Sequence, residues 1–203
     1  ATHRALIAAA VSEGRSELRG PLDADDTRHT LAGLRQLGVR IDERERAWVV
    51  HGTSGELPGG GTIDLGASGT SARFLTALAA LGASPSVLDG SSRLRERPMD
   101  ELIHALVGLG ANVDASSGTG FPLRAGGSRV QGGSVVLSGA RSSQFASALL
   151  LAAPAFRSGL RLEIAPPRVS FPYVRLTVEI LAAFGARVAV EGEATFVVPP
   201  QRL

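Results

Sequence analysis

Three stretches of this chain are apolar on nearly every side of a helix: Ala5 to Val11, Phe74 to Leu81 and Phe145 to Ala153. Helices of that kind are buried on most faces, so these predict interior helices. Other stretches look more amphipathic, as in Trp48-Val49-Val50-His51, and predict strands outside the helices. Three more helical stretches end alike, at Leu37-Gly38-Val39-Arg40, Leu109-Gly110-Ala111-Asn112 and Phe184-Gly185-Ala186-Arg187. The glycines lie 72 and 75 residues apart, and each suits the left-handed position that closes a helix. A strand pair is expected after each: Ile41 to Val50, Val113 to Leu123 and Val188 to Val198. The expected turns are Glu43-Arg44-Glu45, Ser116-Ser117-Gly118 and Glu191-Gly192-Glu193.

A second set of marks keeps nearly the same period. The interior helices start near Arg4, Arg73 and Gln144, at offsets of 69 and 71 residues, and lead to strands at Ser16-Glu17-Leu18, Ser86-Val87-Leu88 and Leu160-Arg161-Leu162. Two independent landmarks with one period predict a triplicated unit. The fold class is therefore α/β, a pseudo-threefold repeat of βαβαββ units with helices inside and sheets outside. The expected units are about 1–57, 58–128 and 129–203, forming one lobe. First strands are expected at Ile63-Asp64-Leu65 and Val135-Val136-Leu137, and the first unit has none. That, with a chain beginning at Ala1 rather than Met, reads as a chain cut within a larger protein.

Composition narrows the classes. The 203 residues carry a formal net charge of only +2 and no long basic run, which speaks against nucleic acid. Cysteine is absent, which excludes disulfides and thiolate chemistry. No apolar span approaches membrane length, so a soluble cytoplasmic protein without membrane contact is expected. The four histidines have no metal-ligand spacing.

The polar residues gather at helix starts, which should all face one end of a repeated structure. Ser142-Ser143-Gln144 opens the third interior helix after Ser138-Gly139-Ala140-Arg141. Hydroxyls and unpaired amides there suit an anion, and equally suit a plain N-cap. Gly66-Ala67-Ser68-Gly69-Thr70 is a turn in which Gly69 lets a ligand approach the backbone. It is neither a P-loop nor a dinucleotide fingerprint. In Arg93-Leu94-Arg95-Glu96-Arg97-Pro98, an extended run would put three arginines on one side, with Glu96 pairing within it. Pro98 and Pro172 are expected in the first turn of their helices, which leaves Arg97 and Phe171 just outside, biased to extended geometry by the following proline. Tyr173 either faces a ligand or packs, Trp48 reads as hairpin core, and Asp23, Asp25 and Asp26 read as a helix cap.

Together these marks resemble one family. Arg4-Ala5-Leu6 with Glu13-Gly14, Leu22-Asp23-Ala24-Asp25-Asp26-Thr27-Arg28-His29, Gly69-Thr70 with Arg73, Arg95-Glu96-Arg97-Pro98, Ser142-Ser143-Gln144-Phe145 and Ser170 with Pro172-Tyr173 occur in the order found in the N-terminal lobe of 5-enolpyruvylshikimate-3-phosphate synthases. The resemblance spans essentially the whole chain. It implies a lobe that closes on a second, C-terminal lobe, with shikimate 3-phosphate and phosphoenolpyruvate between them and no cofactor or metal. By position, Arg4, Ser142, Ser143, Gln144 and Ser170 would hold shikimate 3-phosphate, with Tyr173 beside its ring. Gly69, Thr70, Arg97 and Gln144 would hold phosphoenolpyruvate. The implied reaction adds a hydroxyl of the first substrate to the enol carbon of the second and then eliminates phosphate. The acid and base belong to the other lobe, so this chain alone is expected to be inactive. Departures are Ala67 and Phe74, where the family often has Asn and Pro, and a Lys-Ser pair that would lie upstream of Ala1. Two rivals stand beside this reading. One is the lobe of the related UDP-N-acetylglucosamine enolpyruvyl transferases, whose usual reactive cysteine has no counterpart here. The other is a non-catalytic anion-binding repeat domain.

Overall fold

The computed structural model describes residues 1–115 and 120–203; the expected Ser116-Ser117-Gly118 turn lies outside the described residues. The first stretch runs α1 (Thr2–Val11), β1 (Arg15–Arg19), α2 (Asp25–Gln36), β2 (Arg40–Arg44) and β3 (Ala47–His51). The second begins with β4 (Leu57–Gly59), β5 (Thr62–Asp64), α3 (Gly69–Ala79), β6 (Gly82–Ser84) and β7 (Ser86–Asp89). It continues through α4 (Ser92–Arg95), α5 (Asp100–Gly108), β8 (Val113–Ala115) and β9 (Leu123–Ala125). The third runs β10 (Gly133–Ser138), α6 (Ser143–Ala152) with a 3-10 turn, β11 (Leu160–Ala165), α7 (Pro172–Ala183), β12 (Ala189–Glu191) and β13 (Thr195–Val198).

The apolar helices α1, α3 and α6 form the interior as their pattern requires. Leu6 to Val11, Phe74, Leu75, Leu78 and Leu149 to Ala152 are buried. Each large side chain removed from water there contributes about 1.5–3 kcal/mol. The second helices α2, α5 and α7 close in the same way. The amide after each glycine bonds the carbonyl five residues back: Val39 to Leu34, Ala111 to Leu106 and Ala186 to Leu181. Gly38, Gly110 and Gly185 all have φ near +90°, where a Cβ is costly.

Three sheets clothe the helices with one connectivity. The second stretch gives the order β5-β7-β9-β8 and the third gives β10-β11-β13-β12. In both, the first pair is parallel and the others antiparallel. The first stretch gives β1-β3-β2, the same order without a first strand among the described residues. A short parallel pair, β4 with β6, is additional.

Several local expectations differ. Phe171 is not extended before Pro172: as the cap residue of α7 it has φ −55° and ψ −33°, already helical. Pro98 lies before α5, which starts at Asp100 with Met99 at its cap. The arginine run is not extended, because Ser92–Arg95 forms the helical turn α4, capped by Ser91. Arg95 therefore pairs with Asp89 rather than Glu96. The acidic cluster does not cap α2 with a carboxylate. Ala24 is the cap residue, its amide bonds Thr27 Oγ1 at 3.0 Å, and Asp23 pairs with Arg28. Asp25 and Asp26 still favour the helix start through its dipole.

Candidate functional site

Because the repeats share one connectivity, the starts of α1, α3, α6 and α7 meet at one end of the lobe. Arg4 is buried in the first turn of α1 with no carboxylate beside it among the described residues. Its Nε donates to Thr177 Oγ1 at 2.7 Å and an Nη donates to Ser147 Oγ at 3.3 Å. Its guanidinium carbon lies 5.3 Å from the ring centre of Phe74 and 5.9 Å from that of Tyr173. Burial lowers its pKa from the ordinary arginine value. One positive charge is thus tied by neutral hydroxyls and rings to α3, α6 and α7.

A second positive station surrounds Gly69, the first residue of α3. Ser68 caps that helix by accepting from the Ser71 amide at 3.3 Å. Arg73, one turn on, is 6% exposed and donates to the carbonyls of Gly69 at 2.8 Å and Pro98 at 3.4 Å. Its Nε has no partner among the described residues. Burial, and secondarily the charge of Arg97, push the Arg73 pKa down to about 10. Arg97 reaches the same point. A Cβ on Gly69 would stand 2.3 Å from an Arg97 nitrogen and 2.6 Å from an Arg73 nitrogen. Two guanidinium groups therefore crowd one glycine, and neither has a carboxylate partner among the described residues. Arg4 stacks on Phe74, the residue after Arg73, so the two stations are neighbours.

The serines join them. Ser142 caps α6, accepting from the Gln144 amide at 3.2 Å, and Ser143 is nearly buried. Both line a narrow cleft with Val169, Phe171 and Val174. Gly139 brings that side in: its amide bonds the Ala165 carbonyl, and its own carbonyl accepts from Val169. A Cβ there would stand 2.4 Å from the Ala165 oxygen, so glycine permits the approach. Ser170 follows, exposed, with φ 56°, a strained value for a serine, and its carbonyl accepts from the Tyr173 amide at 3.1 Å. Tyr173 is 56% exposed, so its ring faces outward on one side. Gln144 Nε2 donates to Thr70 Oγ1 at 3.0 Å, linking α6 to α3. Arg4, Gly69, Thr70, Arg97, Ser142, Ser143, Gln144, Ser170 and Tyr173 thus converge on one end.

Sequence reasoning omitted Arg73 from the site and misaligned the third helix. Counted from the caps Ser68 and Ser142, the counterpart of Arg73 is Ser147, not Gln144. The available signal was an arginine inside an otherwise apolar helix, twice, since a charge is buried at high cost without a use. His3 was also passed over. Its Nδ1 lies 2.7 Å from Thr30 Oγ1, which contacts Ser71 Oγ at 2.8 Å. Burial first, against a weaker raising effect of Asp26, lowers its pKa to about 4, so it is neutral at pH 7. The end of the lobe can therefore hold anions, while acid–base groups poised near neutrality are not among its buried members. No cluster of His, Asp or Glu that could hold a metal occurs among the described residues, and no helix is long and apolar enough to cross a membrane.

Comparison with known proteins gives a consistent outcome. Residues 1–203 match the family described as EPSP synthase (3-phosphoshikimate 1-carboxyvinyltransferase). The chain is 42% identical over 206 residues to the 3-phosphoshikimate 1-carboxyvinyltransferase of Methanospirillum hungatei, covering 99% of this chain and 48% of that protein. It is 39% identical to the one of Bordetella petrii, covering 98% and 46%. Among solved structures, the EPSP synthase from Acinetobacter baumannii superposes with a TM-score of 0.84 at 28% identity, covering all of this chain and 46% of that one. The enolpyruvyl transferase NikO from Streptomyces tendae, at 23% identity and a TM-score of 0.67, shares the fold. The chain spans about half the length of the curated relatives it matches.

Proposed function

The chain belongs to the EPSP synthase family, and from that premise we propose that it is the substrate-holding lobe of a 3-phosphoshikimate 1-carboxyvinyltransferase. In this reading the three sheets belong to repeat units of about 1–57, 58–128 and 129–203, which close as one lobe against a complementary C-terminal lobe. The carrying observation is the pair of adjacent cationic stations, Arg4 and Arg73 with Arg97, that lack carboxylate partners among the described residues. Two anionic substrates need two such stations. Shikimate 3-phosphate is assigned to Arg4, Ser142, Ser143, Gln144, Ser170 and Tyr173. Phosphoenolpyruvate is assigned to Gly69, Thr70, Arg97 and Gln144, with Arg73 behind them.

The division of labour follows from the groups present. Guanidinium forks and helix-start amides orient phosphate and carboxylate oxygens, which fixes the attacking hydroxyl against the enol carbon. Proton transfer needs groups poised near neutral pH, and neutral, buried His3 is a poor donor there. The chain alone is therefore proposed to bind and not to turn over. The proposed cytoplasmic setting rests on composition, with no cysteine and no long apolar span.

Titration of the chain with shikimate 3-phosphate, followed through its backbone amides, tests the assignment. The expected response is centred on Ser142–Gln144 and Ser170–Tyr173. A response elsewhere, with these amides silent, overturns the site. Turnover on adding the complementary lobe separates half an enzyme from an anion-binding module.

A further inference from the structure

The loops that open α3 and α6 are built alike, and each hangs from the first turn of a neighbouring helix. Asp64 and Ser138 end β5 and β10. Each side chain accepts from the amide two residues on, Gly66 at 2.9 Å and Ala140 at 3.3 Å. Four residues after each strand end stands a cap serine, Ser68 or Ser142. The helix residues nine before the closing glycines Gly38 and Gly110 are His29 and Glu101. His29 Nδ1 lies 3.3 Å from the Asp64 carbonyl, and a Cβ on Gly66 would stand 2.2 Å from His29 Nε2. Glu101 Oε1 accepts from the Ser138 amide. The same helix position thus holds the strand end in both units.

Glu101 makes this contact in an unusual way. Its other oxygen, Oε2, is buried and has no partner among the described residues. A carboxylate oxygen left so costs stability. Packing does not require it, because α5 is held to the core by Leu102, Ile103 and Leu106 whatever stands at position 101. The preceding residue makes a second tie to the same loop: both oxygens of Asp100 accept from Arg141 Nη1, at 2.8 and 2.7 Å. On its far side the loop is pinned by backbone bonds, Gly139 to the Ala165 carbonyl and Val169 to the Gly139 carbonyl. Ser138–Ser142 is therefore gripped from two sides, and it ends in the serine that caps α6.

We propose that Glu101, seconded by Asp100, is a positioning residue for shikimate 3-phosphate. From the first turn of α5 it fixes the Ser138–Ser142 loop, so that Ser142, Ser143 and the opening amides of α6 stand in place before the substrate arrives. The role rests on the assignment of that substrate to Ser142 and Ser143. A loop ordered in advance leaves less conformational entropy to be lost on binding. Glu101 touches no substrate in this account. It works as an acceptor through Oε1 alone, so its charge is not what the loop requires. The Asp100–Arg141 pair is partly exposed and contributes less.

The test compares the chain with its Glu101→Ala and Glu101→Gln variants, and with His104→Ala as a control, an exposed residue one turn along α5. All are measured well below their melting temperatures. Glu101→Ala is expected to speed hydrogen exchange at Ser138 and Ala140 several-fold. It is also expected to weaken shikimate 3-phosphate binding by about tenfold, the scale of one charged hydrogen bond. Glu101→Gln keeps an acceptor for the Ser138 amide and is expected to restore both. His104→Ala is expected to change neither. The parent titration is read first. A parent silent at Ser142–Gln144 overturns the lobe reading and the positioning role together. A responsive parent matched in affinity by Glu101→Ala overturns the positioning role alone, even where Ser138 exchanges faster, since the tie then serves stability only. Glu101→Gln binding as weakly as Glu101→Ala overturns it too, because charge and not loop placement would then be at work.

Discussion

At the scale of single residues, the site is built from charges whose partners are neutral. His3 offers a test through pH. Its pKa is about 4 in the folded chain and about 6.5 when exposed, so between these values the unfolded chain binds a proton that the folded one does not. Stability contributed by neutral His3 is therefore complete above pH 6.5 and is lost as pH falls toward 4. The urea midpoint is expected to drop between pH 7 and pH 5, and His3→Asn, which can keep the bond to Thr30, is expected to flatten that drop. An unchanged slope would show that burial of His3 is not felt. Arg73 makes a different prediction. Replacing a buried charge by an apolar side chain of similar length is often neutral or stabilising. Arg73→Met should keep or raise the melting temperature, yet in the two-lobe protein it should raise the KM for phosphoenolpyruvate by about tenfold or more, the scale of one lost charged hydrogen bond. Arg97→Ala should leave the shikimate 3-phosphate titration of the chain nearly unchanged and abolish turnover in the two-lobe protein.

At the scale of elements, what was legible followed from backbone chemistry. Gly38, Gly110 and Gly185 announced three helix closures because only a residue without Cβ sits easily at φ near +90°. The apolar runs announced α1, α3 and α6 because nothing on them could face water. The start of α5 was misread for an equally physical reason. Pro98 tolerates a first helical turn but does not require one, and Ser91 captured the preceding residues into α4. The partners of Arg4 could not be read from sequence at all, since Ser147 and Thr177 are brought to it only by packing of α6 and α7 against α1. Gly69 tests how closely the entrance of α3 is fitted. A methyl group there points at the ends of two guanidinium groups, not at backbone, so they can yield. Gly69→Ala should fold with a melting temperature within a few degrees of the parent and lose phosphoenolpyruvate affinity by displacing Arg97. Ser142→Ala, by contrast, removes an N-cap and should cost about 1 kcal/mol in urea unfolding.

At the scale of the whole molecule, the triplicated pattern could be read because each sheet is local in sequence while the interior is shared. The consequence is cooperativity. The helices α1, α3 and α6 pack on one another, and their buried residues form one continuous core with Trp48 of the first sheet. Leu150, in the third repeat, is fully buried, and Leu150→Ala should cost about 2–5 kcal/mol from lost burial and the cavity left behind. If the repeats melted independently, that loss would stay in the third repeat and the first would not register it. Trp48 is the only tryptophan and reports on the first repeat alone. The expected result is that Leu150→Ala lowers the unfolding midpoint seen by Trp48 fluorescence by the same amount as that seen by far-ultraviolet circular dichroism. Separate midpoints would mean three loosely joined units, and helix starts held together that loosely could not keep Arg4, Gly69 and Ser142 at fixed separations around one ligand.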